Sequence, residues 1–340
     1  MKNLANIHRR DFVSALFGGM TAAALANVAR AQTSDPIPCE VGPPPHQKGP
    51  LVWMDMDQIE LDAAYDQRFY APMGDQIQKR VASISNAVRA QLGEPLRLSY
   101  GTSEPEKLDV YRARKPDAPI FLFVHGGSWL GGSARNNAYP AEMFVNAGAN
   151  FIAIDFIDIK QAGGDLRLMA AQVRNAIAWV YKNAASFGAN ANRLYIGGRS
   201  SGAHLTAVAL VTDWERDYGV PADIVKGGIC SSGMYDLRAV RISKRSSFVR
   251  FTDEMEDAMS PQRHLDQLRA PVFVSHGTNE TPEFQRQARD FATAIKAAGK
   301  SGELIEAPNY NHYEMGESFG NPYGPSGRAA LALMKLPILG

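Results

Sequence analysis

The chain has very little cysteine and lacks the common metal-ligand spacings. Only two of its 340 residues are cysteine, Cys39 and Cys230, so a scaffold held together by several disulfides is excluded. Cys230 lies in an apolar, strand-like run and is expected to be a small core residue, although a single bridge to Cys39 stays open. Neither an HExxH motif nor the paired cysteines of a zinc site occur, so no bound metal is expected.

Strong charge of one sign and long apolar runs are also missing. The 36 basic and 35 acidic residues nearly cancel, and they are mixed along the chain without the polybasic stripe that binds phosphate backbones. Nucleic acid is therefore not an expected partner. Beyond the N-terminus no apolar stretch approaches the roughly 20 residues of a membrane span, so no stable membrane insertion of the mature protein is expected. A hydrophobic content of 45% predicts a globular protein with a substantial core, whose oligomeric state the pattern does not indicate.

Residues 1–31 have the pattern of an export signal. Two adjacent arginines, Arg9 and Arg10, precede the uncharged stretch Phe12–Ala26, and small residues lead up to an expected cleavage after Ala31. The pair of arginines followed closely by apolar residues resembles a twin-arginine signal. The apolar stretch is too short and too rich in alanine and glycine for an uncleaved membrane anchor. The mature protein is therefore expected to be periplasmic or secreted.

Three further regions follow the signal. Residues 32–50 are rich in proline and glycine, which predicts a linker or an arm on the surface, because proline lacks a backbone donor. Residues 51–94 have a helical apolar pattern that indicates two helices separated near Pro72. These helices could form a cap over an active site or simply pack against the core. Residues 95–340 are expected to form the catalytic domain.

Within residues 95–340, short apolar runs alternate with longer amphipathic stretches. This alternation predicts strands joined by helices, and hence a mostly parallel sheet with flanking helices. One helix has an apolar face that starts at Leu166 and stops at Gly188, and others are expected after Ser201, Glu283 and Gly324. The eight predicted strands are Leu96–Tyr100, Leu108–Ala113, Ile120–His125, Phe151–Phe156, Arg193–Gly197, Val225–Ser231, Pro271–His276 and Glu303–Ala307.

Ser200 is the leading candidate for a nucleophile. It stands in the turn Gly-Arg-Ser-Ser-Gly, between a predicted strand that ends near Gly197 and a predicted helix. Gly198 and Gly202 permit the sharp turn that presents a serine hydroxyl at a strand end, while the helix N-terminus supplies amides. The alternative is a glycine-rich turn that only connects the strand and the helix.

Serine is a weak nucleophile near neutral pH, so a base and a group that orients the base are required. His312 follows the last predicted strand and is the expected base. The acid is expected between the serine and the histidine in the chain. Glu280, just after the strand that ends at His276, is assigned this role, and Asp236, which follows the preceding strand, is its rival.

A second glycine-containing motif follows another apolar strand. Residues 121–129 read Phe-Leu-Phe-Val-His-Gly-Gly-Ser-Trp, and the amides of Gly127 and Ser128, together with that of Ser201, are expected to form an oxyanion hole. His125 is expected to brace this loop. Trp129 and Tyr65 are candidates for the wall of the substrate pocket, although each could equally pack in the core.

With these motifs in place, the chain resembles the carboxylesterase and kynurenine formamidase-like branch of the α/β-hydrolases, whose members have HGGxW, GxSxGAHL and NHF or NHY at these points. The resemblance covers residues 95–335 and implies the α/β-hydrolase fold, Ser200 and His312 as catalytic residues, and 126–128 as the oxyanion loop. It departs at Glu280, where many relatives have aspartate.

The resemblance favours a carboxylic ester hydrolase that works through an acyl-enzyme intermediate with a Ser-Glu-His triad. An amidase or formamidase acting on aryl amides is the alternative, and a non-catalytic binding protein on the same fold is a third possibility. A small-molecule ester or amide is the expected partner. Acyl transfer to serine requires no dissociable cofactor.

Overall fold

The computed structural model describes residues 41–338. The expected export signal and Cys39 lie outside the described residues. Val41 and the residues after it belong to one compact unit, which contains both the N-terminal helical segment and the sheet. None of the helices among residues 41–338 is long and apolar enough to cross a bilayer.

All eight predicted strands are present, and they form one sheet in the order β1-β2-β4-β3-β5-β6-β7-β8. The two N-terminal strands run antiparallel to their neighbours, and β3 to β8 are parallel to one another. The prediction of an eight-stranded, mostly parallel sheet is therefore confirmed. The strands are β1 Leu96–Ser99, β2 Lys107–Tyr111, β3 Ala118–Val124, β4 Asn150–Ile154, β5 Ala189–Arg199, β6 Val225–Ser231, β7 Val272–Gly277 and β8 Gly302–Ala307.

Helices connect the strands, and those expected after Ser201, Glu283 and Gly324 are present within one or two residues of the predicted starts. The helix expected from Leu166 ends in a short 3-10 turn, and Gly188 follows it in a left-handed conformation at φ 78°. The α-helices are α1 Gln58–Ala64, α2 Gly74–Leu92, α3 Ala141–Asn146, α4 Leu166–Asn183, α5 Ser201–Leu210, α6 Trp214–Tyr218, α7 Arg238–Arg241, α8 Asp253–Ala258, α9 Pro282–Ala297, α10 His312–Glu317 and α11 Pro325–Leu333. The 3-10 helices are Gln67–Phe69, Arg135–Asn137, Ala184–Phe187, Lys244–Ser247, Pro261–Arg263, Leu265–Gln267 and Ser318–Gly320.

The sheet separates two apolar cores, and the central strand β3 contributes to both. Its alternate residues point to opposite faces, so Leu122 packs with α4, α5 and α9, while Phe123 packs with α2, α3 and α11. Every residue of β3 is buried. This double burial explains why β3 reads as a continuous apolar run rather than as an alternating pattern.

Residues 51–94 are expected either to cap an active site or to pack against the core, and different parts of this segment do each. Helix α2 packs against one face of the sheet through a buried stripe that includes Ile77, Val81 and Val88. Helix α1 ends at Ala64, and the four residues after it, 65–68, line a cavity. The preceding arm lies against α1, since the carboxylate of Asp57 accepts hydrogen bonds from Gly49 and His46.

The parallel register brings the carboxyl ends of six strands, β3 to β8, to one edge of the sheet. Val124 at the end of β3 pairs with Gly198 of β5, and Arg199 of β5 pairs with Ser231 of β6. The loops that follow β3, β5, β7 and β8 carry the predicted site residues. Because carboxyl ends of parallel strands meet at the same edge, residues far apart in the chain become neighbours here.

Candidate active site

Ser200 occupies a strained turn between β5 and α5. Its backbone has φ 56° and ψ −128°, an unusual conformation for a residue other than glycine. A Cβ on Gly202 would lie 2.2 Å from the carbonyl oxygen of Val124, so this position accepts only glycine. The Ser200 amide donates to the carbonyl of Ser231 at 2.9 Å. The turn is therefore fixed on both sides, and the serine side chain is held at the sheet edge.

Ser200, His312 and Glu280 form a continuous line of hydrogen bonds. The Ser200 Oγ lies 2.9 Å from Nε2 of His312, and Nδ1 of the same ring lies 2.7 Å from Oε2 of Glu280. The carboxylate can only accept, so both contacts are satisfied when Nδ1 carries the proton and Nε2 accepts from the serine hydroxyl. Ser200 and His312 are each 6% exposed, and Glu280 is 2% exposed.

The second oxygen of Glu280 is held by other groups. Its Oε1 accepts from the backbone amide of Gly277 at 2.8 Å and from the hydroxyl of Ser232 at 2.6 Å. Asp236 is directed elsewhere, since its Oδ1 accepts from Arg263 at 2.8 Å and from the amide of Arg238 at 2.9 Å. Of the two acids that the sequence leaves open, only Glu280 contacts the histidine.

The loop after β3 faces Ser200 with a backbone that depends on glycine. Gly127 has φ 134°, and a Cβ there would lie 2.2 Å from the carbonyl oxygen of Gly131. Ser128 also has a positive φ of 58°. Within the described residues, the amides of Gly127, Ser128 and Ser201 donate no hydrogen bond to the protein. Amides left unpaired beside a serine hydroxyl are suited to stabilise a developing oxyanion.

His125 supports the loop, as expected from the sequence. Its ring stacks on Phe156 with centroids 4.4 Å apart, and its Nδ1 lies 3.0 Å from the carbonyl oxygen of Gly126. A Cβ on Gly132 would lie 2.1 Å from the same Nδ1, so the loop closes tightly around this ring. Burial lowers the pKa of His125, which keeps the ring neutral.

A cavity of about 500 Å³ opens at Ser200. Its volume is in the range of small-molecule sites. Residues from the N-terminal segment, from the loops after β3 and β5, and from the stretch before α8 surround it. The lining residues are Asp62, Tyr65, Asp66, Gln67, Arg68, Gln78, Gly127, Ser128, Leu130, Arg199, Ser200, Lys244, Arg245, Ser247, Phe248, His312 and Tyr313.

The comparisons with known proteins agree with this geometry. The family model described as BD-FAE matches residues 108–295, more than half of the chain. The kynurenine formamidase of Danio rerio is 30% identical over 276 residues, which cover 77% of this chain and 92% of that protein. The chain belongs to the BD-FAE family of α/β-hydrolases.

Two esterases of mycobacteria extend this relationship. Esterase LipC of Mycobacterium tuberculosis is 28% identical over 241 residues, which cover 64% of this hydrolase and 59% of LipC. The crystal structure of esterase LipW from Mycobacterium marinum superposes with a TM-score of 0.60 at 18% identity, covering 80% of this chain and 90% of LipW. The second match shows the shared fold. The predictions of the α/β-hydrolase fold and of the esterase and kynurenine formamidase-like branch are confirmed.

The two aromatic candidates for the pocket wall of the hydrolase have different positions. Tyr65 lines the cavity, and its hydroxyl donates to the buried carboxylate of Glu283 at 2.8 Å. Trp129 does not line the cavity and is only 2% exposed. Its φ of 64° turns the indole beneath the loop, where it meets the ring of His204 at 5.2 Å. This placement corrects the expectation that Trp129 walls the pocket.

Several residues of the hydrolase site escape sequence reasoning. Arg245 and Gln67 line the cavity although both lie in polar stretches that read as surface. Gln67 and Arg245 each lie in a short 3-10 helix. Such a helix is too short to show a repeating pattern of apolar residues, so the sequence does not mark either side chain as buried. Ser232 could have been found, since it is a polar residue directly after β6 and therefore at the same sheet edge as Ser200.

The other buried histidines of the hydrolase have structural roles. His204 bonds through Nε2 to the carbonyl of Met259 at 2.8 Å, and burial lowers its pKa to about 4. His276 lies between the carbonyl of Gly277 and the carboxylate of Glu306. Cys230 is fully buried in β6, and a bridge to Cys39 stays untested because that residue lies outside the described part of the chain.

One group of side chains in residues 41–338 has the spacing of metal ligands. His46, Asp57 and Glu60 offer ligand atoms within 4.8 Å of one another, but none of the three lines the cavity. Lys48 contacts Glu60 at 2.8 Å, and His46 contacts Asp57 at 2.9 Å, so the group is internally paired. These contacts attach the arm to α1.

Proposed function

We propose that the protein is an exported serine hydrolase that cleaves small carboxylic esters through an acyl-enzyme intermediate on Ser200. The observation that carries the proposal is the unbroken hydrogen-bond line from the Ser200 hydroxyl through His312 to Glu280. A nucleophile within 2.9 Å of a base, and a base oriented by a buried carboxylate, is the arrangement that activates serine.

In the first half of the reaction, the Ser200 Oγ attacks the ester carbonyl carbon while Nε2 of His312 takes the hydroxyl proton. The carbonyl oxygen becomes an oxyanion and accepts hydrogen bonds from the amides of Gly127, Ser128 and Ser201. The imidazolium then gives its proton to the leaving alcohol as the carbon–oxygen bond breaks. In the second half, His312 activates a water molecule that releases the acid and restores the serine.

Glu280 acts as a positioning residue for His312. It holds the tautomer in which Nε2 is free to accept the serine proton, and its negative charge stabilises the imidazolium that forms. Gly277 and Ser232 keep the carboxylate in place through its other oxygen. Because all three groups of the line are more than nine-tenths buried, these interactions act with little screening by water.

A fluorophosphonate probe tests the nucleophile directly. We expect the folded protein to be labelled on Ser200 and the Ser200→Ala variant to stay unlabelled. Ser201→Ala removes the neighbouring hydroxyl, leaves its amide in place, and is the matched control that should still label. A wild-type protein that folds but shows neither labelling nor ester turnover would refute the proposal and favour a binding protein on the same fold.

A formamidase that acts on aryl amides is the second candidate, and the similarity to kynurenine formamidase over most of both chains favours it. The same residues serve this reaction, but the poorer amine leaving group places a greater demand on proton donation by His312. Turnover of a matched aryl ester and aryl formamide separates the two. We expect the ester to react faster, and faster turnover of the formamide would replace the esterase proposal with the formamidase.

Export is proposed from residues 1–31 alone. We expect the protein expressed in a bacterium with a twin-arginine pathway to reach the periplasm with Gln32 as its first residue. Lysine at both Arg9 and Arg10 should abolish this processing, whereas lysine at Arg30 should not. Recovery of uncleaved, membrane-bound protein in the wild type would contradict the proposal.

A further inference from the structure

The cavity contains a buried arginine whose hydrogen-bonding groups are largely unused. Arg245 is 6% exposed, and its Nη2 donates to the carbonyl of Tyr65 at 3.1 Å. Its Nε and Nη1 have no partner among the described residues. Burying a cation without a paired anion is costly, and buried guanidinium groups are usually matched by carboxylates or phosphates.

An aromatic ring packs against this guanidinium. Its central carbon lies 5.3 Å from the centroid of the Trp129 indole, which forms a floor beneath it. Trp129 follows Ser128 in the proposed oxyanion loop, and Arg245 and Ser200 line the same cavity. Burial lowers the pKa of Arg245 to about 10, and the group therefore stays protonated near neutral pH.

A second unpaired polar group faces the same cavity. Gln67 is 7% exposed and lines the cavity, and neither the nitrogen nor the oxygen of its amide has a partner in residues 41–338. Two separate segments of the chain thus present unsatisfied polar groups to one space. Buried polar groups are usually hydrogen-bonded, so both side chains can take a partner from outside the protein.

The acidic residues that line the cavity are already engaged. Asp66 binds its neighbour Arg68 through both carboxylate oxygens, and Asp62 accepts from the amide of Lys244 at 2.6 Å. Arg199 and Lys244 also line the cavity, and no ion pair to either is formed within the described residues. Basic groups therefore exceed acidic groups around the space next to Ser200, which favours an anionic ligand.

We propose that the substrate carries a carboxylate, which the Arg245 guanidinium binds with the Gln67 amide beside it. The inference rests on the proposed hydrolysis at Ser200 and adds the substrate class, a carboxylate-bearing ester or amide. A carboxylate accepts the Nε and Nη1 donors of Arg245 in the planar arrangement that arginine favours. A carboxylate oxygen also accepts hydrogen bonds from an amide nitrogen, so Gln67 can contribute a further donor from the same cavity.

Two matched substrate pairs test the assignment. The first is para-nitrophenyl hydrogen adipate and the neutral ester in which an isopropyl group replaces the carboxylate. The second places the carboxylate on the leaving group, as the butyrate esters of para-hydroxybenzoate and para-cresol. In each pair, the ratio of kcat/KM for the charged substrate to that for the neutral one is measured for the wild type and the variants. Comparing ratios cancels the intrinsic difference in reactivity within a pair.

We expect Arg245→Met to lower the ratio for at least one pair by about 10- to 100-fold, because a charge-assisted buried contact is lost. Gln67→Met should lower it by roughly threefold or more. Arg245→Lys keeps the charge without the planar fork and should lie between the wild type and Arg245→Met. The matched control is Arg238→Met, which removes an exposed arginine stacked on Trp53 outside the cavity and should leave both ratios within about twofold.

The outcomes separate the two proposals. If Arg245→Met reduces turnover of the charged and neutral esters equally, Arg245 only supports Trp129 and the carboxylate assignment is overturned. If that variant does not fold, the ratios of Arg245→Lys and Gln67→Met decide, and two unchanged ratios refute the assignment. Failure of the wild type to hydrolyse any of the esters and to label Ser200 refutes the proposed function itself.

Discussion

Replacing Glu280 by glutamine tests the most specific feature of the site. The two side chains have nearly the same volume, so the change alters hydrogen bonding with little effect on packing. Oε1 of the native carboxylate faces the Gly277 amide, which can only donate. The glutamine oxygen must therefore remain at this position, because the opposite orientation would bring two N–H groups within 2.8 Å of each other.

This orientation places the glutamine NH₂ against Nδ1 of His312, at the 2.7 Å contact now made by Oε2. Nδ1 must then accept a hydrogen bond, and the ring proton moves to Nε2. In that tautomer Nε2 can no longer take the proton of Ser200. The wrong tautomer in such a line lowers kcat by roughly 10³- to 10⁴-fold while substrate binding is kept.

The assay is steady-state hydrolysis of a para-nitrophenyl ester by Glu280→Gln and by Asp236→Asn. We expect the large loss in kcat only for Glu280→Gln, with KM within about threefold of the wild type. Asp236→Asn removes a partly exposed ion pair to Arg263 and should cost less than about 1 kcal/mol of stability, with kcat nearly unchanged. A greater loss of kcat in Asp236→Asn than in Glu280→Gln would refute the reasoning.

Three further predictions concern the loop, the buried histidine and the pocket wall. Gly127→Ala should lower kcat by about 10²- to 10³-fold, because the added Cβ displaces an oxyanion amide; an active, folded variant would contradict this. The pKa of His204 is about 4 when folded and 6.5 when unfolded, so the unfolded chain binds more protons in this window and stability falls as the pH falls. Between pH 7 and pH 4.5 this residue should cost about 2 kcal/mol in urea unfolding, a loss that His204→Gln should lack. Tyr65→Phe removes a donor to the buried Glu283 and should reduce the free energy of unfolding by about 1 to 3 kcal/mol; a change below the error of the measurement would mean that the remaining donors suffice.

The strands and the turns at their ends could be read from the sequence because both depend on local signals. Buried parallel strands appear as short apolar runs, and the glycines around Ser200 are needed for a turn that no other residue accommodates. The candidate base His312 could also be predicted, because it closely follows the last strand. The strands, the turn at Ser200 and the position of His312 are each determined by residues that are close to one another in the sequence.

The acid and the pocket depended on contacts between distant segments. Glu280 and Asp236 each follow a strand in the sequence, but only the folded sheet directs one toward His312 and the other toward Arg263. Likewise, a positive φ at Trp129 turned an expected wall residue beneath the loop.

The sequence by itself determined the sheet, the turn that holds the proposed nucleophile Ser200 and the position of the proposed base His312, since hydrophobic periodicity and glycine placement act over short stretches of chain. Only the tertiary structure decided which acid meets the histidine and which side chains surround the substrate cavity. Arg245 and Gln67 show the physical reason, because each comes from a polar segment that has no pattern of its own. Gln67 lies more than 100 residues from both Ser200 and Arg245 in the chain, and only the packing of the folded segments brings all three to one cavity.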